Sequence, residues 1–343
     1  METITINTSE GRSQILTGID WKSVTRFIPP TGTVIITDEN VKRLYGDSFP
    51  ACQVITIEAG EKSKSLATIA VIVEDLLKAG IDREGFILGI GGGVVCDIAG
   101  FTASVYMRGV RFGFVSTTLL SQVDASTGGK NGVNSKTAKN IIGVFNNPEF
   151  VICDPEMLRT LPEEEYRSGL SELVKAALIR DDELLGLIEE NCDRIIARDK
   201  ATMLHLISRA VKIKAAIVET DMHEAGERRL LNFGHTLGHA AEIEYGILHG
   251  QAVAWGMVKA MEYSAEKGHL SSESFGRVVS LFRRLDLLPK VMIDNEIVAG
   301  RIVYDKKRSG NDLNFVFLEK PGSAFTGKVG IEEIARFIMK KKD

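Results

Sequence analysis

No apolar run in this chain approaches the ~18 residues that would span a bilayer, so no membrane segment is expected. Cysteine is scarce. The 343 residues hold only Cys52, Cys96, Cys153 and Cys192, far apart and without a CxxC pair. That excludes a disulfide framework and reads as reduced, mostly core thiols of a cytosolic protein. The stretch METITINTSEGR lacks a basic region followed by an apolar run, so no signal peptide is expected. Neither sign of charge dominates. A formal net charge of −4 gives no reason to expect nucleic acid or an anionic membrane surface as a partner. Internal repeats and low-complexity tracts are also missing. What is present is ordinary globular composition, 44% hydrophobic and 26% charged, which suits a large core and about two domains.

The first half alternates short apolar runs with amphipathic stretches. TVIIT (33–37), VITI (54–57), FILGI (86–90), FGFVS (112–116) and FVIC (150–153) read as buried strands. Apolar residues recur at helical spacing over 65–79, and 94–103 can open another helix. Such alternation predicts an α/β, Rossmann-like domain with a mostly parallel sheet over 1–155. After Asp154-Pro155 the pattern changes. Helices are predicted over 163–180, 183–198, 200–222, 229–245, 250–268, 271–286 and 331–341, with a strand pair near 314–318 and 324–329. A mainly α-helical domain is therefore expected over 156–343, with the active site in the cleft between the two.

Three of the six histidines fall within HTLGHAAEIEYGILH, at 235, 239 and 249. His235 and His239 sit four apart, on one face of a helix. Glu172 lies upstream in SGLSELVKAALI, another helical stretch. One carboxylate with two histidines would make an open Zn²⁺ site with room for water or substrate. A lone histidine is more often a satisfied core or surface residue, and LNFGHTLGHA is not the HExxH of zincins. Spacing leaves two arrangements open: His235 and His239 both ligate, or one ligates while the other works as a base.

GIGGGVVCD (89–97) follows a predicted strand and opens a helix. Consecutive glycines let backbone N–H groups approach a pyrophosphate, whose charge the helix N-terminus favours. It is not GxGxxG, and a glycine run also makes a plain tight turn. Asp38, after TVIIT, is placed either to meet a ribose hydroxyl or to cap the helix that follows. AGEKSK (59–64) and STTLLSQVDASTGGKNGVN (116–134) add polar groups on strand-to-helix turns. Asp124, Lys130, Lys139 and Asn140 cluster beside a Gly-Gly pair, which suits an anionic ligand, and Arg108 in YMRG fits the same picture. Any one of these lysines, taken singly, reads equally as a solvated surface residue.

Together these residues resemble the 3-dehydroquinate synthase family, within the sugar-phosphate cyclases. The resemblance covers nearly the whole chain through GGGVVCDIAGF, MRG, the Thr117-Thr118 pair, QVDASTGGKNGVN, KNIIGVF, SELVK, RRLLNFGHTLGHA, HGQAVAWGM and DKK at 305–307. It implies a Rossmann-like domain followed by a helical one, acting as a cytoplasmic homodimer. By motif, it places metal ligands at Glu172, His235 and His249, with His239 outside the ligand set. NAD contacts are implied at Asp38, Asn40, Glu61, Lys64, Gly92, Gly93, Val94, Asp97, Thr117, Thr118, Asp124, Lys130, Lys139, Thr160, Leu161 and Glu165. Substrate or catalytic positions fall on Arg108, Lys130, Asn140, Lys175, Lys214, Arg228, Asn232 and either Lys306 or Lys307. One departure is Cys96, where the family usually has glycine, so slight crowding near the pyrophosphate and weaker NAD affinity are expected.

The resemblance implies conversion of 3-deoxy-D-arabino-heptulosonate 7-phosphate into 3-dehydroquinate and phosphate, a step of the shikimate pathway toward chorismate and the aromatic amino acids. Such a lyase uses NAD⁺ and Zn²⁺ (or Co²⁺) without net oxidation. Transient oxidation, β-elimination of phosphate, re-reduction, ring opening and aldol closure would follow in turn. His239 has the near-neutral reference pKa a base needs. Rival readings are a cyclase acting on sedoheptulose 7-phosphate or glucose 6-phosphate, and a metal-dependent polyol dehydrogenase. A non-catalytic relative is a third. The Lys214, Arg228 and Asn232 set argues against the first, Glu172 with Lys175 against the second, and the full set of matched positions against the third.

Overall fold

A sheet whose central strands are buried on both faces builds the first part of the chain. In the computed structural model, described for residues 1–9, 11–136, 138–306 and 312–340, nine strands precede residue 155. They are β1 (Glu2–Thr8), β2 (Gly11–Thr17), β3 (Thr33–Asp38), β4 (Gln53–Ile57), β5 (Phe86–Gly91), β6 (Arg111–Ser116), β7 (Lys130–Val133), β8 (Ile142–Phe145) and β9 (Phe150–Cys153). Seven form one sheet in the order β1-β2-β9-β6-β5-β3-β4. All its pairings are parallel except β1 with β2 at the edge. Central strands such as β5, buried along its whole length, read as unbroken apolar runs because helices cover both faces.

Helices α1 (Glu39–Tyr45), α2 (Leu66–Lys78) and α3 (Gly93–Val105) follow β3, β4 and β5. Strand order reverses around β3, which has β4 on one side and β5 on the other. The carboxyl ends at such a reversal leave a crevice that open α/β sheets use for ligands. Register puts Thr37 beside Ile90 and Gly91 beside Ser116. Asp38, the glycine turn and Thr117 therefore emerge along one edge.

Two features departed from expectation here. The β1–β2 hairpin was not among the predicted strands, although ETITINT alternates cleanly. The polar stretch around 130–145 forms a second hairpin, β7 with β8, because Gly132 faces Gly143 and lets the two backbones meet.

Beyond Pro162 the chain is mostly helical: α4 (Glu163–Arg180), α5 (Asp182–Glu190), α6 (Cys192–Ile196), α7 (Lys200–Thr220), α8 (His235–Tyr245), α9 (His249–Glu266), α10 (Ser272–Arg284) and α11 (Asn295–Lys306). The hairpin β10 (Asp312–Lys320) and β11 (Ser323–Gly330) leads into α12 (Ile331–Lys340). The predicted 183–198 helix breaks at Asn191. The predicted 229–245 helix becomes a 3₁₀ turn, Glu227–Asn232, followed by α8. Helix α11 was not predicted, since Gly300 interrupts a weak apolar pattern.

Contacts divide the chain into two compact units, Met1–Leu161 with Met203–His223, and Pro162–Thr202 with Glu224–Asp343. Against a boundary expected near 155, the first unit thus runs a little further and takes back most of α7. Polar contacts hold α7 there. Ser208 Oγ meets Thr17 Oγ1 at 2.7 Å, Lys212 pairs with Glu2 at 2.5 Å, and Glu219 accepts from the Asn7 N–H at 2.7 Å. In the second unit α8 and α9 approach closely through Gly238. A Cβ added there would lie 2.7 Å from the Ala252 carbonyl oxygen. Gly250 likewise abuts the Ser168 backbone, and its N–H donates to Ser168 Oγ at 2.9 Å. These contacts bring α4, α8 and α9 together.

Candidate active site

Glu172, His235 and His249 come from the three helices that the glycines hold close. Glu172 lies mid-way along α4, while His235 and His249 open α8 and α9. Nε2 of each histidine stands 3.5 Å from Glu172 Oε1. Ligands about 2 Å from a tetrahedral Zn²⁺ are themselves roughly 3.3 Å apart, so this spacing suits one ion. Both Glu172 oxygens are shut away from solvent, and Oε1 has no hydrogen-bond partner among the described residues. Lys175 Nζ, one helical turn on, forms an ion pair with Oε2. A divalent cation would give Oε1 the partner it lacks. Among the described residues this group therefore fits a metal ion.

The other nitrogens set the tautomers. His235 Nδ1 is 3.2 Å from the Phe233 carbonyl, and His249 Nδ1 is 3.1 Å from Glu242 Oε2. Both partners are acceptors, so each Nδ1 carries a proton and Nε2 is the nitrogen that would ligate. Burial, then the charge of Lys175, holds His235 well below the usual histidine range. It is neutral at physiological pH, as a ligand must be. For His249 burial works downward too, but Glu172 and Glu242 outweigh it and raise the group to about 9. The metal-free protein therefore keeps an imidazolium there. Its contribution to stability is complete below the unfolded value near 6.5 and is lost as pH rises through about 9.

A metal must displace that proton. We expect metal affinity to strengthen by up to about tenfold per pH unit below pH 9, with close to one proton released per ion. Calorimetry in two buffers of different ionisation enthalpy measures the release. An affinity that does not change with pH would contradict this protonation state.

His239 is exposed on α8, one turn beyond His235, with ring centroids 5.2 Å apart. It is not in the Glu172 group but in a second one, with Glu242 and His249, whose ligand atoms all lie within 4.8 Å of one another. The structure thus separates the two histidines that spacing could not, placing only His235 beside Glu172. Glu242 was missed from the sequence. It lies seven residues after His235 and three after His239, so helical spacing already put it on their face. Elsewhere in this unit Arg228 is buried, and Asn232 Nδ2 donates to Glu224 Oε1. Glu165 sits in the first turn of α4, its carboxyl raised by burial and by Glu164. Lys306 closes α11, and Lys307 lies outside the described residues.

In the first unit the Gly91–Gly93 turn joins β5 to α3 with Gly92 as N-cap. A Cβ on Gly92 would meet Thr118 Cγ2 at 2.8 Å, and one on Gly93 would meet the Ala125 Cβ at 3.2 Å. Those glycines keep open a shallow cradle under the exposed N–H groups of α3, suited to phosphate oxygens. Thr117 N–H donates to the Gly91 carbonyl at 2.9 Å, and Thr118 Oγ1 donates to Ser121 Oγ at 3.0 Å, so both threonines brace the turn. Cys96 is buried beneath it, Sγ 3.8 Å from the Gly91 carbonyl. The expected crowding therefore falls on the inner side of the turn.

Asp97, on the first turns of α3, pairs with buried Lys64, and burial raises its carboxyl to about 6 against that lysine's pull. Lys214 Nζ donates to the Asp124 carbonyl at 2.6 Å and pairs with its carboxylate. Asp38 caps α1, accepting from the Val41 N–H at 2.9 Å. Its carboxylate keeps a second oxygen for other work. Asn40 is exposed in the same helix, and Val94 is half-buried at the start of α3. Glu61 accepts from Asn134 Nδ2 at 2.8 Å, and Asn134 Oδ1 accepts from the Asn140 N–H at 2.8 Å. Asn140, at φ 53°, and Lys130 and Lys139 are exposed. Arg108 is exposed too, in a left-handed turn with φ 70°. Thr160 meets the Tyr45 hydroxyl at 2.5 Å, and Leu161 caps the 3₁₀ turn Pro155–Thr160.

Fold and site thus define a protein of two units, one shaped to cradle phosphate beside a parallel sheet and one built to hold a divalent cation. Residues 54–168 match the family described as 3-dehydroquinate synthase N-terminal, and residues 169–308 match 3-dehydroquinate synthase C-terminal. A 3-dehydroquinate synthase of Koribacter versatilis is 42% identical over 78% of this chain and 74% of its own. One from Solibacter usitatus is 38% identical over 90% and 89%. Among solved structures, the 2-epi-5-epi-valiolone synthase of Streptomyces hygroscopicus, with NAD⁺ and Zn²⁺ bound, aligns with a TM-score of 0.85 at 26% identity, covering 95% of each chain. The chain belongs to the 3-dehydroquinate synthase family.

Proposed function

We propose that this chain acts as a 3-dehydroquinate synthase, a phosphate-eliminating lyase that forms 3-dehydroquinate from 3-deoxy-D-arabino-heptulosonate 7-phosphate. The observation that carries this is the convergence of Glu172, His235 and His249 beside Lys175, in a chain matched to both family domains. Bound NAD⁺ supplies a hydride acceptor that returns its hydride within one turnover, and bound Zn²⁺ or Co²⁺ supplies a Lewis acid.

The chain's own residues then hold and steer the substrate. Glu172, His235 and His249 would hold the metal. The glycine turn and the α3 N-terminus would seat the cofactor's pyrophosphate, with Asp38 facing a ribose hydroxyl. Lys175, buried against Glu172, keeps a cation beside the hydroxyl that must lose its proton. Exposed on α8, one turn beyond His235, His239 is the base for that proton. Oxidation at one carbon acidifies its neighbour, so phosphate leaves by β-elimination, and the leaving phosphate is itself placed to take the proton. Arg228 offers a planar fork that suits the substrate carboxylate, and Lys130, Lys139, Arg108 and Asn140 suit its phosphate. Holding both ends fixes the reacting geometry, worth on the order of 7–11 kcal/mol at best. We further propose a cytoplasmic homodimer, as the family suggests; light scattering tests the assembly.

His239→Ala should keep stoichiometric metal yet lose most turnover, on the order of 10²–10⁴-fold for a missing base. A metal-free His239→Ala protein would move His239 into the ligand set. The substrate is tested by offering 3-deoxy-D-arabino-heptulosonate 7-phosphate and sedoheptulose 7-phosphate in parallel with catalytic NAD⁺. Cyclised product from the first alone, with no NADH accumulating, is the expected outcome. Product from the second alone would assign a different cyclase, and steady NADH formation would point to a dehydrogenase.

A further inference from the structure

Glu242 belongs to no assigned role, yet among the described residues it is the side chain that meets Nδ1 of His249. Its side chain is 11% exposed, and its Oε2 sits 3.1 Å from His249 Nδ1 while His249 Nε2 faces Glu172. His249 is the first residue of α9, and Glu242 stands on the preceding helix, α8. His235 needs no such partner, because its Nδ1 is tied to the Phe233 carbonyl in the backbone just before α8. The two ligand histidines are thus held by different devices, one by main chain and one by a carboxylate.

We propose that Glu242 is the positioning residue of the metal group. It fixes the Nδ1–H tautomer of His249, aims Nε2 at the ion and, as an anion, makes that nitrogen a stronger donor. A carboxylate behind a ligand histidine commonly does this, and its loss costs about 10–100-fold in metal affinity. The inference rests on the metal assignment of Glu172, His235 and His249. With the ion held by Glu172, His235 and His249, Glu242 would lie outside its ligand set, so its effect passes through His249.

The test uses Co²⁺, whose visible absorption reports ligand geometry, with affinity measured against a competing chelator. Wild type, Glu242→Gln and Glu242→Ala are compared, each checked for fold by circular dichroism and thermal midpoint. We expect about 10–100-fold weaker binding and an altered Co²⁺ spectrum in Glu242→Ala. Glu242→Gln, which keeps a neutral acceptor, should fall between it and wild type. Unchanged affinity and spectrum in a folded Glu242→Ala would overturn the proposal, even if the thermal midpoint dropped, because the residue would then be merely structural. A wild-type protein that binds no Co²⁺ would overturn the metal assignment as well. Should Glu242→Ala fail to fold, Glu242→Gln decides alone: weaker binding supports the role, and wild-type binding refutes it.

Discussion

His235→Ala is expected to yield a folded protein that retains no stoichiometric metal and shows no measurable turnover. The fall in metal affinity should exceed the about 10–100-fold that losing an outer partner costs. His235 would supply one of three ligand atoms, and burial and Lys175 favour its neutral state. Two ligands would remain, with His249 still carrying a proton up to about 9 in the metal-free protein. The substitution also leaves the Glu172–Lys175 pair intact. Glu172→Gln would be a poorer test, since it breaks the buried Glu172–Lys175 ion pair, a change that typically costs about 3–5 kcal/mol of stability. Metal analysis of purified His235→Ala checks the prediction; one ion per chain would reject the ligand assignment.

The second large effect concerns packing. Gly238→Ala should destabilise the protein by about 1–3 kcal/mol and weaken metal binding with it. The new Cβ would fall 2.7 Å from the Ala252 carbonyl oxygen and 3.2 Å from Val253 Cα, both backbone atoms that cannot swing away. Helix α8, which carries His235 and His239, must then move off α9, which carries His249. Gly276 in α10 is the control, because a Cβ there meets nothing within 4 Å. Gly276→Ala should stabilise by about 0.5–1 kcal/mol through helix propensity alone. Urea unfolding of the two variants should therefore give opposite signs. Equal and small effects would mean that α8 and α9 are not locked by this contact.

The sequence made some of this legible and hid the rest for identifiable reasons. Strands β3, β5, β6 and β9 stood out because burial on both faces leaves unbroken apolar runs, and β4, at the sheet edge, because VITI is a short apolar run. Glycine after such a strand marked the phosphate cradle, since only a turn without side chains leaves those N–H groups open. The β7–β8 hairpin was hidden because its polar, glycine-containing strands pair through backbone and have little apolar pattern to read. Helix α7 reads simply as a helix, and only the contacts of Ser208, Lys212 and Glu219 tie it to the first unit. At the site, spacing placed His235 and His239 on one face but could not say which faced Glu172. That was decided by the crossing of α4, α8 and α9, a long-range packing result. Glu242 shared the same face and went unnoticed because acidic residues on a helix are usually solvated.

The most direct single measurement is phosphate release from 3-deoxy-D-arabino-heptulosonate 7-phosphate, with catalytic NAD⁺, on chelated protein before and after Zn²⁺ is restored. Release that returns with the metal, alongside 3-dehydroquinate and no accumulating NADH, is the predicted result. Folded, zinc-loaded protein that releases no phosphate from this substrate would contradict it.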